Sequence, residues 1–450
     1  MSELSAGDRL PHIVATPPGP RSRDLAARLR QYESPNVTYI SDSFPIFWAE
    51  AVGANVLDVD SNVYIDVTAG FGVAVSGHQN PRIAAAIRKQ LESLAHGLGD
   101  VHPPEIKVRL LERLAEVTPP GLEMSILASS GGEAIEAALK TARLASGRPG
   151  VLCFSGAYHG LTYGALSVTD GEYFRAPFED QLGIPIARVP FPNPYRPAPE
   201  VEDRGGLLSA TLNLVAERLD ADDRIGSVIV EPILGRGGVV VPPDGFLRGL
   251  RDECDRRGLV LIFDEVFTGF GRTGRWFACE HEGVAPDILC VGKALSGVLP
   301  FSACIGRPEV MAAWPLSRGD AIHTSTFLGN PLACAAALAQ IDEIEDQRLV
   351  ERSVGLGASM LDRLEEIQTQ VSAVGDVRGR GLLAAIELVQ DPSSRKPDSE
   401  RARQLVGDAL RRGLILLGGG PTLQLSPPLT ITEEQLGFAL ATLEACLDGT

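Results

Sequence analysis

Short apolar runs alternate with helical stretches through the middle of the chain. Apolarity within each run is continuous, which is typical of strands buried on both faces. Helical spacing between the runs indicates crossover helices packed on a sheet. The pattern therefore predicts an α/β domain around a mainly parallel sheet. The runs occupy residues 125–129, 151–155, 227–232, 259–266, 287–292 and 302–306.

The flanking sequence predicts further helices and strands and a division of the chain into three parts. Residues 55–67 alternate around a turn at Asp60–Asn62 and predict a hairpin. Apolar spacing predicts helices over 80–96 and 103–117, an alanine-rich helix after Pro331 and a helix–strand–helix end. Residues 1–35 lack periodicity. We expect an N-terminal arm with part of a small domain (1–65), a large domain (66–334) and a smaller α+β domain (335–450).

Composition narrows the class of protein. The 450 residues carry a formal charge of −17 and no run of cations, which argues against a nucleic-acid or anionic-membrane partner. No signal-peptide pattern and no apolar stretch long enough to span a bilayer occurs, so we expect a cytoplasmic protein. The 7 cysteines are scattered, without a CxxC pair, which favours reduced thiols and no metal site.

Lysine is scarce, and one lysine has an unusual position. Four of the five lie in polar helical stretches or a charged loop, whereas Lys293 follows the apolar run 287–292. A lysine at the end of a buried strand is costly to keep charged, and a neutral lysine is what an imine-forming enzyme needs. The alternative is a strand-end lysine that reaches solvent.

Other candidate side chains follow neighbouring strands. Asp264 closes the run before Lys293, where open α/β sheets bind ligands, and it can hold a protonated ring nitrogen. The segment Ser130-Gly131-Gly132 opens a helix, which suits a phosphate site or simply a capped helix start. Tyr158 and His159 follow a further strand and offer an aromatic face or ordinary core packing.

These features together suit pyridoxal phosphate rather than a dinucleotide. The motif GFGRTG (269–274) matches GxGxxG, but no crossover helix follows it, so the Rossmann interpretation fails. A phosphate cradle, an aromatic face, a carboxylate and one buried lysine at the strand ends of one sheet are the groups that this cofactor requires.

Eight ordered motifs carry a family resemblance from about Asp58 to the end of the chain. The chain resembles the class III (ornithine/4-aminobutyrate-type) aminotransferases, which are pyridoxal-phosphate enzymes of fold type I. The motifs are DVDSNVYIDVTAGFGVAVSGH, SSGGEAIEAALKTAR, FSGAYHGLTYGALS, VIVEPILGRGG, LIFDEVFTGFGRTG, PDILCVGKALSGVLP, HTSTFLGNPLACAAALA and VRGRGLLAAIEL.

The resemblance implies a role for each matching residue. Lys293 would form the Schiff base (internal aldimine), Asp264 would hold the pyridinium proton, and Glu231 would support the ring. It also implies a homodimer with shared active sites, with a tetramer as an alternative. The remaining implied cofactor contacts are Val266 and Tyr158 on the ring faces, Ser130, Gly131, Gly132 and His159 nearby, and Thr326 on the phosphate of the partner subunit.

Substrate selection is where the sequence departs from the family. Relatives acting on γ-aminobutyrate or ornithine carry Arg where this chain has Leu161, so those substrates are disfavoured. Arg236 replaces a Glu that would mask Arg378, so we expect Arg378 and Arg236 to leave a carboxylate site open. Phe71 and Trp48 are candidates for an apolar substrate wall, or for simple packing.

The resemblance implies transfer of an amino group between an amine or amino acid and a 2-keto acid, pyruvate or 2-oxoglutarate. The alternative is an amino-acid racemase or epimerase, because some members of the same family have that activity. The missing Glu mask is compatible with this alternative, since a racemase handles one carboxylate-bearing substrate.

Overall fold

The computed structural model describes residues 4, 7–41, 43–202 and 205–448, which divide into two compact units. Unit 1 combines Met1–Pro81 with Arg352–Thr450, and unit 2 is Arg82–Glu351. The sequence places the large domain at 66–334 instead. The C-terminal boundary lies later because the alanine-rich helix after Asn330 buries Ala336 and Ala339 against Ile83. That helix therefore belongs to the larger unit.

Unit 2 contains the alternating strands and helices that the apolar runs predict. The strand Ile186–Val189 was not predicted, because it is short and carries Arg188. In chain order the strands are β4 (Met124–Ala128), β5 (Gly150–Phe154), β6 (Ile186–Val189), β7 (Ile225–Val230), β8 (Val260–Asp264), β9 (Ile288–Val291) and β10 (Ser302–Gly306). The helices are α3 (Pro81–Ser93), α4 (Glu105–Val117), α5 (Gly131–Ser146), α6 (Tyr163–Val168), α7 (Glu172–Arg175), α8 (Pro199–Glu202), α9 (Leu207–Ala221), α10 (Phe246–Arg257), α11 (Pro308–Met311), α12 (Pro331–Asp346) and α13 (Leu349–Gln370), with 3-10 turns at Ala176–Gln181, Ala278–His281 and Lys293–Leu295.

The seven strands of unit 2 form one sheet in the order β4-β10-β9-β8-β7-β5-β6. Pairing is parallel from β9 through β8, β7 and β5 to β6, so the predicted mainly parallel sheet is confirmed. Strand β10 runs antiparallel to both β4 and β9. Two reversals bring β4 back to the direction of β9, so both strands end at the same edge of the sheet. That edge collects the segments that follow β4, β5, β7, β8 and β9.

Helix α5 covers one face of this sheet. Its side chains Ala134, Ile135 and Ala138 share a core cluster with Ile262 and Cys290 of the strands. The helix begins at a capping box and ends at Gly147, which adopts the left-handed conformation at φ 69°. Small side chains along the buried face let α5 lie close to the sheet, which fixes its N-terminus at the strand-end edge.

Unit 1 contains two four-stranded sheets. Their strands are β1 (Trp48–Val52), β2 (Asn55–Asp58), β3 (Val63–Asp66), β11 (Val374–Arg380), β12 (Leu383–Leu388), β13 (Leu414–Ile415), β14 (Leu417–Gly419) and β15 (Thr422–Leu425). One sheet has the order β1-β2-β3-β13, and its β2–β3 pair confirms the predicted hairpin. The other, β11-β12-β15-β14, is antiparallel. The helices of this unit are α1 (Pro20–Tyr32), α2 (Ala69–Gly72), α14 (Ser399–Arg411) and α15 (Glu433–Asp448), with most of α13.

The N-terminal segment differs from the loosely ordered arm that the sequence predicts. Helix α1 forms within it, although the apolar residues of this segment show little helical periodicity. Pro20 suits the first helical position. Asp60 then holds the helix start by accepting the backbone N–H groups of Arg21 and Ser22 at 2.8 and 2.9 Å. Residues 1–3, 5 and 6 of the predicted arm lie outside the described residues. Nowhere in the described ranges does a helix combine the length and apolarity needed to cross a bilayer.

Candidate active site

Lys293 lies directly after β9, at the edge where the parallel strands end. Its backbone adopts φ 43°, an unfavourable conformation for a residue with a side chain, and such strain clusters at functional sites. The Nζ atom lies 4.2 Å from the centre of the Phe267 ring. Burial lowers the pKa of Lys293 to about 8, although Asp264 and Glu231 act in the opposite direction. The structure therefore provides an amine that is partly neutral near neutral pH.

Asp264 ends the neighbouring strand β8 and is fixed on both carboxylate oxygens. Its Cα pairs with that of Cys290 on β9, which places it beside the strand that leads into Lys293. Oδ2 lies 2.8 Å from Nδ1 of His159, and Oδ1 accepts the backbone N–H of Val266 at 3.1 Å. With 6% of its surface exposed, Asp264 is an oriented, buried acceptor suited to a protonated ring nitrogen.

Glu231 follows β7 and connects two loops. Its Oε1 accepts the backbone N–H of Tyr158 at 2.9 Å, and its Oε2 accepts that of Gly235 at 2.9 Å. Burial raises the pKa of Glu231 to about 7, while His159 lowers it and Asp264 raises it. The supporting role expected for Glu231 is thus to hold the segments that carry Tyr158 and Arg236.

The start of α5 offers free backbone donors. Ser130 is the N-cap: its hydroxyl accepts the N–H of Glu133 at 3.2 Å, and the Glu133 carboxylate accepts the N–H of Ser130 at 3.3 Å. The N–H groups of Gly131 and Gly132 precede any intrahelical partner, and no acceptor for them is found in the described part of the chain. Ser130 therefore shapes the helix start, and the two glycines present N–H groups that suit a phosphate.

Neighbouring segments approach this helix start closely enough to crowd any side chain placed on its glycines. A Cβ on Gly131 would lie 3.1 Å from Val266, and one on Gly132 would lie 3.3 Å from Thr162. At Gly160, where φ is 120°, a Cβ would come within 2.9 Å of the Gly132 Cα. The hydroxyl of Ser302 donates to the Ser130 carbonyl at 2.6 Å. This glycine cradle, an amine of lowered pKa and a fixed aspartate together fit pyridoxal phosphate.

Aromatic rings and one cation flank the cradle. Tyr158 lies 5.7 Å from Phe174 in an edge-to-face arrangement. The Arg236 guanidinium lies over both rings, 4.8 Å from the centre of Tyr158 and 5.1 Å from that of Phe174. Phe174 belongs to the short helix α7 and matches no motif, so sequence reasoning missed it.

Trp48 and Phe71 lie in unit 1, where a chain of contacts through His78 and Asp66 connects their segments. The Trp48 ring stands edge-on to His78 at 5.6 Å, and His78 contacts the buried Asp66 at 2.9 Å. Asp66 also accepts the N–H of Gly70 at 3.0 Å, next to Phe71, whose φ is 62° and whose side chain is 64% exposed. Sequence reasoning missed Asp66 and His78, which hold the strained segment that presents Phe71.

Arg378 also lies in unit 1, and two acidic residues contact it although Arg236 replaces the Glu that masks it in relatives. Its Nη1 lies 2.6 Å from Asp376 and 2.9 Å from Glu387, and only 9% of its side chain is exposed. Glu387 stands on the antiparallel neighbour β12, so sequence spacing alone does not bring the two together. Both carboxylates mask this guanidinium, which leaves Arg236 as the open cation of the predicted pair.

Thr326 lies on an exposed segment of unit 2, away from the hydrogen bonds that organise the cradle. Its neighbour Thr324 donates to Asp100 at 3.0 Å, and Phe327 meets His96 edge-on at 5.5 Å. Segments 94–102 and 322–328 therefore lie against each other, and their exposed apolar side chains form one surface. We call it the apolar patch; its members are Leu94, Leu98, Val101, Ile322 and Phe327.

Comparisons with known proteins agree with this geometry. The family model for class-III aminotransferases matches residues 38–447. The chain is 38% identical to a 4-aminobutyrate aminotransferase of Mycobacterium leprae (strain TN), over 97% of each chain. It is 33% identical to an alanine/serine racemase of Pyrococcus horikoshii, over 98% of this chain and 93% of that one. The crystal structure of an amine transaminase from an uncultivated Pseudomonas species, in its PLP-bound form, matches with a TM-score of 0.87 at 31% identity, over 93% of this chain and 98% of that one.

Proposed function

The chain belongs to the class-III aminotransferases, pyridoxal-phosphate enzymes of fold type I, and we propose that it moves an amino group from an amine or amino acid to a 2-keto acid. The observation that carries the proposal is the arrangement at the strand ends of unit 2. An amine of lowered pKa at Lys293, a fixed carboxylate at Asp264 and the glycine cradle lie along one sheet edge.

Each of these groups has a task toward the cofactor. Pyridoxal phosphate supplies an aldehyde carbon and a ring that accepts electron density when it is protonated. The N–H groups of Gly131 and Gly132 would hold its phosphate, and Asp264 would hold the proton on its ring nitrogen. Tyr158 and Val266 would line the two faces of the ring.

Lys293 serves as attachment point and proton carrier. Its pKa of about 8 leaves part of the amine neutral near neutral pH, so Nζ would be available to hold the aldehyde carbon of the cofactor and to accept a proton from the substrate carbon. Phe267 beneath Nζ keeps water from that side of the amine.

Replacement of Lys293 tests the proposal. Lys293→Ala should abolish transamination and the absorbance band of covalently attached cofactor, because no other lysine among the described residues lies at this edge. Lys89→Ala, on the exposed face of α3, is the matched control and should keep both. A Lys293→Ala enzyme with wild-type turnover would overturn the assignment.

The substrate preference follows from Leu161 in our proposal. Several relatives are named 4-aminobutyrate aminotransferases. Leu161 is an exposed apolar side chain and cannot bind a carboxylate, so we place γ-aminobutyrate and ornithine below other amino acids and amines as donors. A donor panel with pyruvate and 2-oxoglutarate as acceptors measures this order; γ-aminobutyrate as the best donor would contradict it.

We further propose a homodimer that shares its active sites through Thr326. The exposed Thr326 precedes Phe327 of the apolar patch. Exposed apolar surface of this kind is typical of protein interfaces. Phe327→Asp places a charge in the patch and should shift the enzyme toward monomers in analytical ultracentrifugation, with loss of bound cofactor. Phe178→Asp, which alters an exposed aromatic outside the patch, is the control. A dimer that survives Phe327→Asp contradicts this interface.

The cysteines support a reducing compartment. All 7 are free and buried, and a reduced state is the norm for thiols in the cytoplasm. We therefore propose a cytoplasmic enzyme. Fractionation of cells that carry the full chain tests this, and recovery of the protein outside the cytoplasm would contradict it.

Racemisation is the second candidate, because an alanine/serine racemase matches the chain over 98% of its length. Incubation with one amino-acid enantiomer in heavy water, without a keto acid, separates the two activities. Inversion with deuterium uptake supports a racemase. A single stoichiometric half-reaction supports the transaminase, because amino transfer then stops when the cofactor has accepted one amino group.

A further inference from the structure

Arg236 sits at the tip of a tight, well-anchored turn. Leu234 and Val240 exchange both backbone hydrogen bonds at 3.1 Å, which closes the turn. Its base is tied down by Glu231, which accepts the N–H of Gly235 at 2.9 Å. A Cβ on Gly237 would contact the Gly156 carbonyl oxygen at 2.5 Å, so the turn lies directly on the segment that leads to Tyr158. The backbone of Arg236 is therefore fixed.

The Arg236 side chain is fixed as well, yet it keeps its hydrogen-bonding capacity. Tyr158 and Phe174 hold the guanidinium at 4.8 and 5.1 Å from their ring centres. Ring faces stabilise the positive charge but use none of the five N–H donors in conventional hydrogen bonds. In the described ranges no carboxylate forms an ion pair with Arg236, although the side chain is exposed. The two rings thus hold the Arg236 guanidinium in place while its N–H donors remain available to a ligand.

The open cation adjoins the reactive amine. A Cβ on Gly235 would lie 2.9 Å from the Phe267 ring, and that ring lies 4.2 Å from Nζ of Lys293. Glu231 links the same turn to Tyr158. A substrate whose amine or ketone carbon is next to Lys293 thus has Arg236 at the border of its site.

We infer that Arg236 is the carboxylate anchor of this enzyme and binds the amino-acid donor and the keto-acid acceptor alike. The inference rests on the proposed amino transfer. A planar guanidinium binds a carboxylate through two parallel N–H donors. Because the cation is held by rings rather than by a carboxylate, no ion pair has to break when either substrate enters. Arg378 cannot take this role, since Asp376 and Glu387 already occupy it.

The test compares Arg236→Gln with the wild-type holoenzyme. Loss of a charge-assisted pair should raise KM for the amino acid and for the keto acid by about 10- to 100-fold. A primary amine without a carboxylate should show a far smaller change as donor. Arg236→Lys keeps the charge without the two parallel N–H donors, so its KM values should lie between those of wild type and Arg236→Gln. Arg218→Gln is the matched control and should resemble wild type, because Arg218 is an exposed residue of α9 to which no carboxylate of the described chain is ion-paired.

A binding measurement gives a readout independent of turnover. Calorimetry with glutarate and with propanoate should show weaker binding to Arg236→Gln than to wild type by a similar factor. Phe174→Leu removes one of the two rings and should weaken binding by about 2- to 5-fold, the amount expected for one cation–ring contact.

The outcomes separate this inference from the proposed function. Equal KM changes for amines and carboxylates in Arg236→Gln, or unchanged carboxylate binding, would overturn the anchor while amino transfer stands. A wild-type enzyme that consumes no keto acid with any donor, yet binds glutarate through Arg236, would overturn the proposed function alone.

Discussion

Oδ2 of Asp264 lies 2.8 Å from Nδ1 of His159, and both side chains are buried. His159 is itself held, because its backbone N–H donates to the Thr169 hydroxyl at 2.9 Å. Its Nε2 has no hydrogen-bond partner within the described ranges. The polar contact of the imidazole in the structure therefore orients the Asp264 carboxylate.

Replacement of His159 should weaken cofactor binding through Asp264. His159→Phe leaves Oδ2 without its partner, and loss of a hydrogen bond to a charged group should raise the dissociation constant of pyridoxal phosphate about tenfold or more. His159→Asn can place an amide N–H near the former Nδ1 position and should recover part of the affinity. Titration of the apoenzyme, followed by cofactor absorbance, measures both. Equal affinities for the two variants would contradict a role for the hydrogen bond to Oδ2.

The strand ends of unit 2 could be predicted because buried parallel strands have a plain signature. Continuous apolar runs located β8 and β9, and the residues after such runs share one edge, so Asp264 and Lys293 followed directly. Scarcity of lysine reduced the candidates further. Strand β6 escaped because Arg188 interrupts a four-residue run.

Partners that come from distant segments could not be predicted. Glu387 reaches Arg378 across an antiparallel pair, and its register is not visible in the spacing. Phe174 reaches Arg236 from a short helix without periodicity. In both cases the tertiary fold decides which charge is masked and which stays open, so the sequence could not show the acidic neighbours of Arg378.

Gly160 should be intolerant of any side chain. Its φ of 120° is strained for other residues, and a Cβ would press on the Gly132 Cα at 2.9 Å. Strain of about 1–3 kcal/mol in the cradle predicts a loss of cofactor affinity of roughly 5- to 100-fold for Gly160→Ala. Gly183→Ala, where a Cβ meets nothing within 4 Å, is the control. Wild-type affinity in Gly160→Ala would show that the cradle can widen freely.

The rate of cofactor capture should report the pKa of Lys293. Only the neutral amine attacks the aldehyde, so the capture rate of the apoenzyme should rise with pH and level off above about 8. The Phe267 ring stabilises the ammonium form, so Phe267→Leu should lower the pKa of Lys293 by roughly 0.5 to 1. Stopped-flow absorbance across pH 6–10 measures the midpoint of this rise. The range extends about two pH units on either side of the expected pKa of Lys293. Phe178→Leu is the control, and an upward move in Phe267→Leu contradicts the ring contact.

Glu265 should make the apoenzyme less stable as pH rises. It is fully buried, and burial raises its pKa to about 7 despite hydrogen bonds from Thr268 at 2.8 Å, Ala278 at 2.6 Å and Cys279 at 2.8 Å. A raised pKa means that the folded state binds the proton more tightly than the unfolded state. The associated stability is complete below the ordinary value of 4.5 and is lost as pH rises through about 7.

The thermal unfolding midpoint at constant ionic strength measures this effect. Between pH 4.5 and 7 the wild-type midpoint should fall, and Glu265→Gln should fall less steeply because it has no proton to lose there. Part of the slope should remain, since Glu231 also has a pKa raised to about 7 by burial. Glu112→Gln, on the exposed face of α4, should keep the wild-type slope. An unchanged slope in Glu265→Gln would mean that its three hydrogen bonds offset the cost of burying the charge.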